Sequence, residues 1–172
     1  AGSLPVKPEA IDALADSLEG QVNLTPNWIS ATVYQRVAHK LATEAIEDQR
    51  LDFEDGYGAR ANEEEDGHAI SAAMELAGGV KENLLPPFIG IRIKSLTEET
   101  KRRSIRTLDL FLSTFADQGV ALPDPFFITL PKVTSPEQVS ALLTCVELLE
   151  ERCAFPEGHI KIELMIETIQ SI

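Results

Sequence analysis

Five charged residues stand where short apolar segments give way to turns. They are Glu54 and Asp55 in RLDFEDGYG, Arg92 in FIGIRIK, Lys132 in FFITLPK and Glu167 in IKIELMIET. Carboxylates hold hard cations and move protons. A guanidinium pins a carboxylate or carbonyl oxygen with paired N–H donors, and an ammonium adds a compact positive charge. Charges of both signs suit a site that holds a divalent cation and an anionic substrate together. A row of ordinary salt bridges at strand ends would give the same pattern. Both readings stand at this point.

The segments that carry these residues read as strands, and the stretches between them as helices. Strands are expected over RLDFED, 88–94, 126–132 and IKIELMIET. EEEDGHAISAAMELA follows the first as a helix. Thr97 is the expected N-cap of the next, which lines up Ile105, Leu108, Leu112 and Phe115 before Gly119 stops it. Ser135 caps a third, with Pro136 at its first position and Gln138 completing a capping box. Its apolar stripe is Val139, Leu142, Leu143, Val146 and Leu149. Ahead of the first strand, PEAIDALADSLEG is punctuated as a helix by Pro8 and Gly20, and a second helix spans 29–48, with Val33, Val37 and Leu41 in line. The expected division is therefore an N-terminal helical segment, 1–48, and a strand–helix alternation, 49–172.

The charged markers recur about every 35–40 residues, the size of a strand plus its crossover helix and loops. Such alternation implies a parallel sheet. Two architectures share it: a small doubly wound sheet, and about half of a (β/α)8 barrel. In both, ligands bind at the carboxyl ends of the strands, where these charges lie.

Composition excludes several classes of function. The chain has 172 residues and a net charge of −13, with 44% hydrophobic residues. A surface that must neutralise phosphates needs an excess of Lys and Arg, so a nucleic-acid partner is not expected. No apolar run approaches the roughly 18 residues of a membrane span, and no secretory signal is visible. The two cysteines, Cys145 and Cys153, flank a helical stretch and are too far apart along it to pair. They read as reduced thiols of a cytoplasmic protein. There is no glycine-rich dinucleotide fingerprint and no P-loop. His39, His68 and His159 fall in different segments without metal-ligand spacing.

Taken in order, these motifs resemble a known family. RLDFEDGYG resembles the second-strand LDLED motif of citrate lyase beta-subunit-like proteins. IGIRIKSL resembles their arginine strand, ITLPKV their LPKV strand, and ELMIET their glutamate strand. The wider group is the HpcH/HpaI-type aldolase and citrate lyase superfamily. RTLDLFL and TLPKVTSPEQV point to an uncharacterised aldolase/citrate-lyase-like subgroup within it. The resemblance covers residues 49–172.

That resemblance implies a (β/α)8 barrel and an enzyme that makes or breaks a carbon–carbon bond next to a carbonyl through a metal-stabilised enolate. It implies Mg²⁺ or another divalent cation, with Glu167 as a metal ligand. Arg92 would bind the substrate and stabilise the enolate. Glu54 and Asp55 would lie near the catalytic base position, and Lys132 would be a further substrate-binding residue. The substrate would be a 2-keto acid or an acyl-CoA-type molecule. The family's second metal carboxylate belongs to the next strand, which this chain does not contain. A partial barrel is therefore expected, with strands resembling the second to fifth, completed by a second chain or by self-association. The alternative is a non-catalytic truncated barrel that serves binding or assembly.

Overall fold

The computed structural model describes residues 7–16 and 26–172. The chain forms two compact units, Ala1–Glu47 and Asp48–Ile172.

In the first unit, helix α1 (Pro8–Asp16) packs on helix α2 (Pro26–Thr43). Pro8 opens α1 where a missing N–H costs nothing. Gly20, the expected stop, lies outside the described residues. Ile11 and Ala31 are buried, whereas Ile29, Val33, Val37 and Leu41 stay exposed. The stripe read from the sequence thus faces outward, and Ala31 is the residue of α2 that is buried among the described residues. Lys40 closes the helix with ion pairs to Glu44 and Glu47.

The second unit alternates strictly: β1 (Asp48–Asp52), α3 (Asn62–Glu82), β2 (Phe88–Arg92), α4 (Lys101–Ala116), β3 (Phe126–Leu130), α5 (Pro136–Cys153) and β4 (Ile160–Leu164). The four strands are all parallel and lie in the order β1-β2-β3-β4. A doubly wound sheet reverses its strand order at a switch point, and this sheet does not. With right-handed crossovers, a monotonic order puts every helix on one face, as in an arc of a barrel.

The helix-covered face is apolar. Leu51, Ile91, Ile128 and Ile162 share one rung. Against it pack Ala69, Ala73 and Leu76 of α3, Leu108, Phe111, Leu112 and Phe115 of α4, and Leu142, Val146 and Leu149 of α5. The opposite face is polar: Asp52, Arg92, Thr129 and Glu163 share the next rung. Arg50 on β1 crosses that face. Its Nε lies 3.2 Å from Thr129 Oγ1 and 3.4 Å from Glu163 Oε2. In a flat sheet β1 and β4 would stand about 14 Å apart, beyond the reach of these side chains. The sheet is therefore curled, with the polar face concave.

Local details depart from the sequence reading. Helix α4 begins at Lys101 with Thr100 as its N-cap, not at Thr97. Residues 97–100 form a preceding turn, because the Thr97 carbonyl already accepts from the N–H groups of Thr100 and Lys101. Ser135 is the N-cap of α5, with Pro136 next to it, but no capping box forms. Gln138 instead accepts from the Thr134 N–H at 2.8 Å and donates to the Leu96 carbonyl. Leu143 points to solvent, since it lies about 100° round the helix from Leu142. Both cysteines are free. No helix among the described residues is long and apolar enough to cross a membrane.

Candidate functional site

The carboxyl ends of β1 to β4 gather all five charged residues singled out from the sequence. Arg92 is the last residue of β2. The ladder continues past the strand ends, with the Phe53 N–H donating to the Arg92 carbonyl at 2.9 Å and the Met165 N–H to Leu130 at 3.0 Å. This extra pairing holds Glu54, two residues beyond β1, and Glu167, three beyond β4, close to the neighbouring strand ends.

Lys132 is the centre of the cluster. Its ammonium pairs with Glu54 and, at 2.7 Å, with Asp55. Its backbone N–H donates to Glu167 Oε1 at 2.9 Å. Lys132 has φ 51°, the left-handed region, which costs a non-glycine residue about 1–2 kcal/mol. Strain of this kind gathers at functional sites and persists only where the surroundings fix it. Here the Glu167 carboxylate and the Lys132 ammonium pairs do so. The Thr168 hydroxyl, donating to the Val133 carbonyl, ties the Glu167 segment to the same loop.

Arg92 belongs to the same surface. Its Nε lies 4.0 Å from Glu54 Oε2. Its stronger partner is Asp52, which faces it across the β1–β2 ladder and receives Nε at 2.8 Å and Nη2. The Arg92 guanidinium, with the N–H groups of Glu54 and Gly56, holds the Asp52 carboxyl below the usual range. The Lys132 ammonium does the same for Asp55. In return Asp55, and then Glu54, push the Lys132 ammonium above its ordinary value. Glu54 is buried at 8% exposure, whereas Asp55 and Glu167 are open to solvent.

Below this cluster lies the concave face, with a cavity of about 590 Å³ lined by Arg50, Asp52, Arg92, Thr129, Glu163 and Met165 among others. Thr129 donates its hydroxyl to Glu163 and holds that carboxyl low, with Arg50 adding to the effect. The Arg50 guanidinium also sits 4.7 Å above the Phe127 ring. Asp52, Arg50, Thr129 and Glu163 were not singled out from the sequence. The signal available was alternation: Asp48, Arg50, Asp52 and Glu54 recur at every second position, as do Lys161, Glu163, Met165 and Glu167.

Four carboxylates, Asp52, Glu54, Asp55 and Glu167, thus meet two cations, Arg92 and Lys132. The donors are of the hard oxygen type, and their excess of two negative charges matches one divalent cation. Among the described residues, however, no three His, Cys, Asp or Glu side chains converge so as to hold a metal ion. The set suits a divalent cation in donor type and charge but not in convergence, and the Glu167 carboxylate has no cationic partner among the described residues. His68 and His159 stand apart from the cluster: His68 accepts or donates at Tyr57 Oη, and His159 bonds the Leu122 and Pro123 carbonyls. His39 lies on α2, in the N-terminal unit.

The chain matches the family described as "Domain of unknown function (DUF6986)" over residues 6–172, and it belongs to that family. No curated protein and no solved structure matches it.

Proposed function

We propose that this DUF6986 family member carries, at the carboxyl ends of its strands, the site of a carbon–carbon lyase. It would act on a 2-keto acid or an acyl-CoA-type substrate through an enolate. One observation carries the reading: Glu54, Asp55, Arg92, Lys132 and Glu167, from four separate strand ends, meet in one linked cluster. Parallel α/β folds place their chemistry on this face. The motif resemblance to aldolases and citrate lyase-like proteins points the same way.

In this reading Arg92 receives the substrate's carboxylate or carbonyl oxygen, as a fixed cation aimed where negative charge develops. Lys132 adds a second positive charge beside it. Glu54 and Asp55 are the carboxylates placed to take or return the proton next to the carbonyl. Bound Mg²⁺ or another divalent cation, held by Glu167, would supply Lewis-acid polarisation of the 2-keto oxygen. The outer strands β1 and β4 and the concave face would be covered by further strands, from a second chain or a second copy. The free cysteines suit a cytoplasmic setting.

A second reading, a non-catalytic barrel segment kept for binding or assembly, is favoured by the internal pairing of Lys132 with Glu54 and Asp55. Calorimetric titration with Mg²⁺, with and without oxaloacetate, separates the two. The lyase reading expects Mg²⁺ to bind, oxaloacetate to tighten it about tenfold by linkage, and Glu167→Gln to weaken it about tenfold or more. Mg²⁺ binding that ignores Glu167→Gln removes the metal assignment. Absence of any oxaloacetate effect favours the non-catalytic reading.

A further inference from the structure

We propose that Asp52 is a positioning residue that holds Arg92 side-on, so that the end-on edge of the guanidinium presents a fork to a planar carboxylate. The inference rests on the reading of Arg92 as the substrate-binding residue and adds to it a residue and a ligand geometry.

An arginine has two edges that can meet a carboxylate. One is formed by Nε and Nη2, the other by Nη1 and Nη2. Asp52 occupies the first, with Oδ1 on Nε at 2.8 Å and Oδ2 on Nη2. Among the described residues no acceptor is bound to Nη1. The second edge is therefore the one offered to a ligand, and a bidentate fork of this kind is matched by a carboxylate plane.

Asp52 is itself held from several sides. It lies opposite Arg92 in the β1–β2 register. Its Oδ1 accepts the Glu54 N–H at 2.8 Å, and its Oδ2 accepts the Gly56 N–H at 3.0 Å. The loop passes so close that a Cβ on Gly56 would collide with Asp52 Oδ2. One carboxylate thus fixes the Arg92 plane and also shapes the loop that carries Glu54 and Asp55 to Lys132. The ligand class that fits the open fork is a short planar carboxylate: a 2-oxo acid, or oxalate as the stable mimic of its enolate.

The test uses the full chain and oxalate. Calorimetry should find oxalate binding that Asp52→Asn weakens about tenfold or more, that Asp52→Glu partly restores, and that Arg92→Lys largely removes. In the Arg92→Lys background, Asp52→Asn should add little, because both act through one group. In ¹⁵N spectra the Arg92 Nε–H should be slow to exchange in the wild type and fast in Asp52→Asn, whether or not ligand is present. An unchanged oxalate affinity in a folded Asp52→Asn variant, additive losses in the double variant, or a wild type that binds no oxalate would each overturn the proposal. The outcome is separable from the metal reading. Glu167-dependent Mg²⁺ binding without oxalate binding leaves that reading and sinks this one, and Arg92-dependent oxalate binding without Mg²⁺ does the reverse.

Discussion

Replacing Gly90 by alanine tests the curled, polar-faced sheet directly. Gly90 lies on β2 between Arg50 of β1 and Phe127 of β3 on a single rung. A Cβ there would fall well inside contact distance of the Phe127 carbonyl oxygen, and 2.9 Å from Phe127 Cβ. The obstacle is ladder backbone, which cannot turn aside as a flexible side chain would. Overpacking in a close-fitted interior costs about 1–3 kcal/mol, and a backbone obstacle places Gly90→Ala at the upper end. Forcing β2 from β3 also disturbs the Arg50 guanidinium over Phe127, worth about 0.5–1 kcal/mol. The expected loss is about 3–4 kcal/mol, a large share of the roughly 5–15 kcal/mol of a typical domain. It corresponds to a fall of about 10 °C in Tm. Urea and thermal unfolding followed by far-UV circular dichroism measures it. The single tryptophan, Trp28, belongs to the N-terminal unit and is not the probe for this transition. Gly78→Ala is the internal control. Gly78 lies inside α3 with nothing near its would-be Cβ, so the same substitution should stabilise by up to about 1 kcal/mol. A Gly90→Ala loss below about 1 kcal/mol would refute the close approach of β2 and β3 and the crossing of Arg50 built on it.

Two further outcomes follow from buried and paired carboxylates. Glu150, 3% exposed, accepts the Gly158 and Ile160 N–H groups at 2.8 and 2.7 Å, joining α5 to β4. Glu150→Gln points an amide donor at one of them and should cost about 1–3 kcal/mol in urea unfolding; a loss under about 0.5 kcal/mol would show the turn does not depend on it. The Asp52 and Glu163 carboxyls are held below their usual range in the folded state. Their contribution is therefore complete above the unfolded carboxylate pKa of about 4 and is lost as pH falls through their lower folded values. The urea midpoint of the wild type should drop below about pH 4, and that of Asp52→Asn should drop less steeply; parallel curves would take the effect away from Asp52.

The strand–helix alternation was legible because each strand body and each helix stripe buries a periodic set of apolar residues. Leu51, Ile91, Ile128 and Ile162 meet on one rung, as their period of two implies. Strand order was not legible in the periodicity, although the motif resemblance implied a partial barrel, and the order β1-β2-β3-β4 agrees with it. A doubly wound sheet and a barrel arc use the same units, and only tertiary pairing separates them. The N-cap at Thr97 was misplaced for a local reason: Thr100, three residues on, offers the same hydroxyl chemistry and bonds the Ser95 carbonyl. The site residues were legible where a charge ended an apolar segment, as at Arg92 and Glu167. Arg50 and Glu163 escaped because they stand inside the strands, and Asp52, the last residue of β1, because Glu54 and Asp55 follow it in the same segment.

That face bears on the proposed completion of the barrel. The interior of a (β/α)8 barrel is ordinarily packed with branched aliphatic side chains. Here the corresponding layer is Asp52, Arg92, Thr129 and Glu163, bridged by Arg50. Its members are bonded to one another, but the second edge of the Arg92 guanidinium has no acceptor among the described residues. A satisfied polar network tolerates closure; a network that loses one member leaves buried charge behind and becomes costly. Strands of the proposed completed barrel would have to leave Arg50 and Glu163 in place and leave an acceptor within reach of Arg92 Nη1. Small or weakly polar inward side chains, or ordered water, meet that condition, whereas bulky aliphatic ones would press on the Arg50 bridge. Arg92 lies between this layer and the strand-end cluster, so how the face is filled also sets how firmly the proposed substrate-binding group is held.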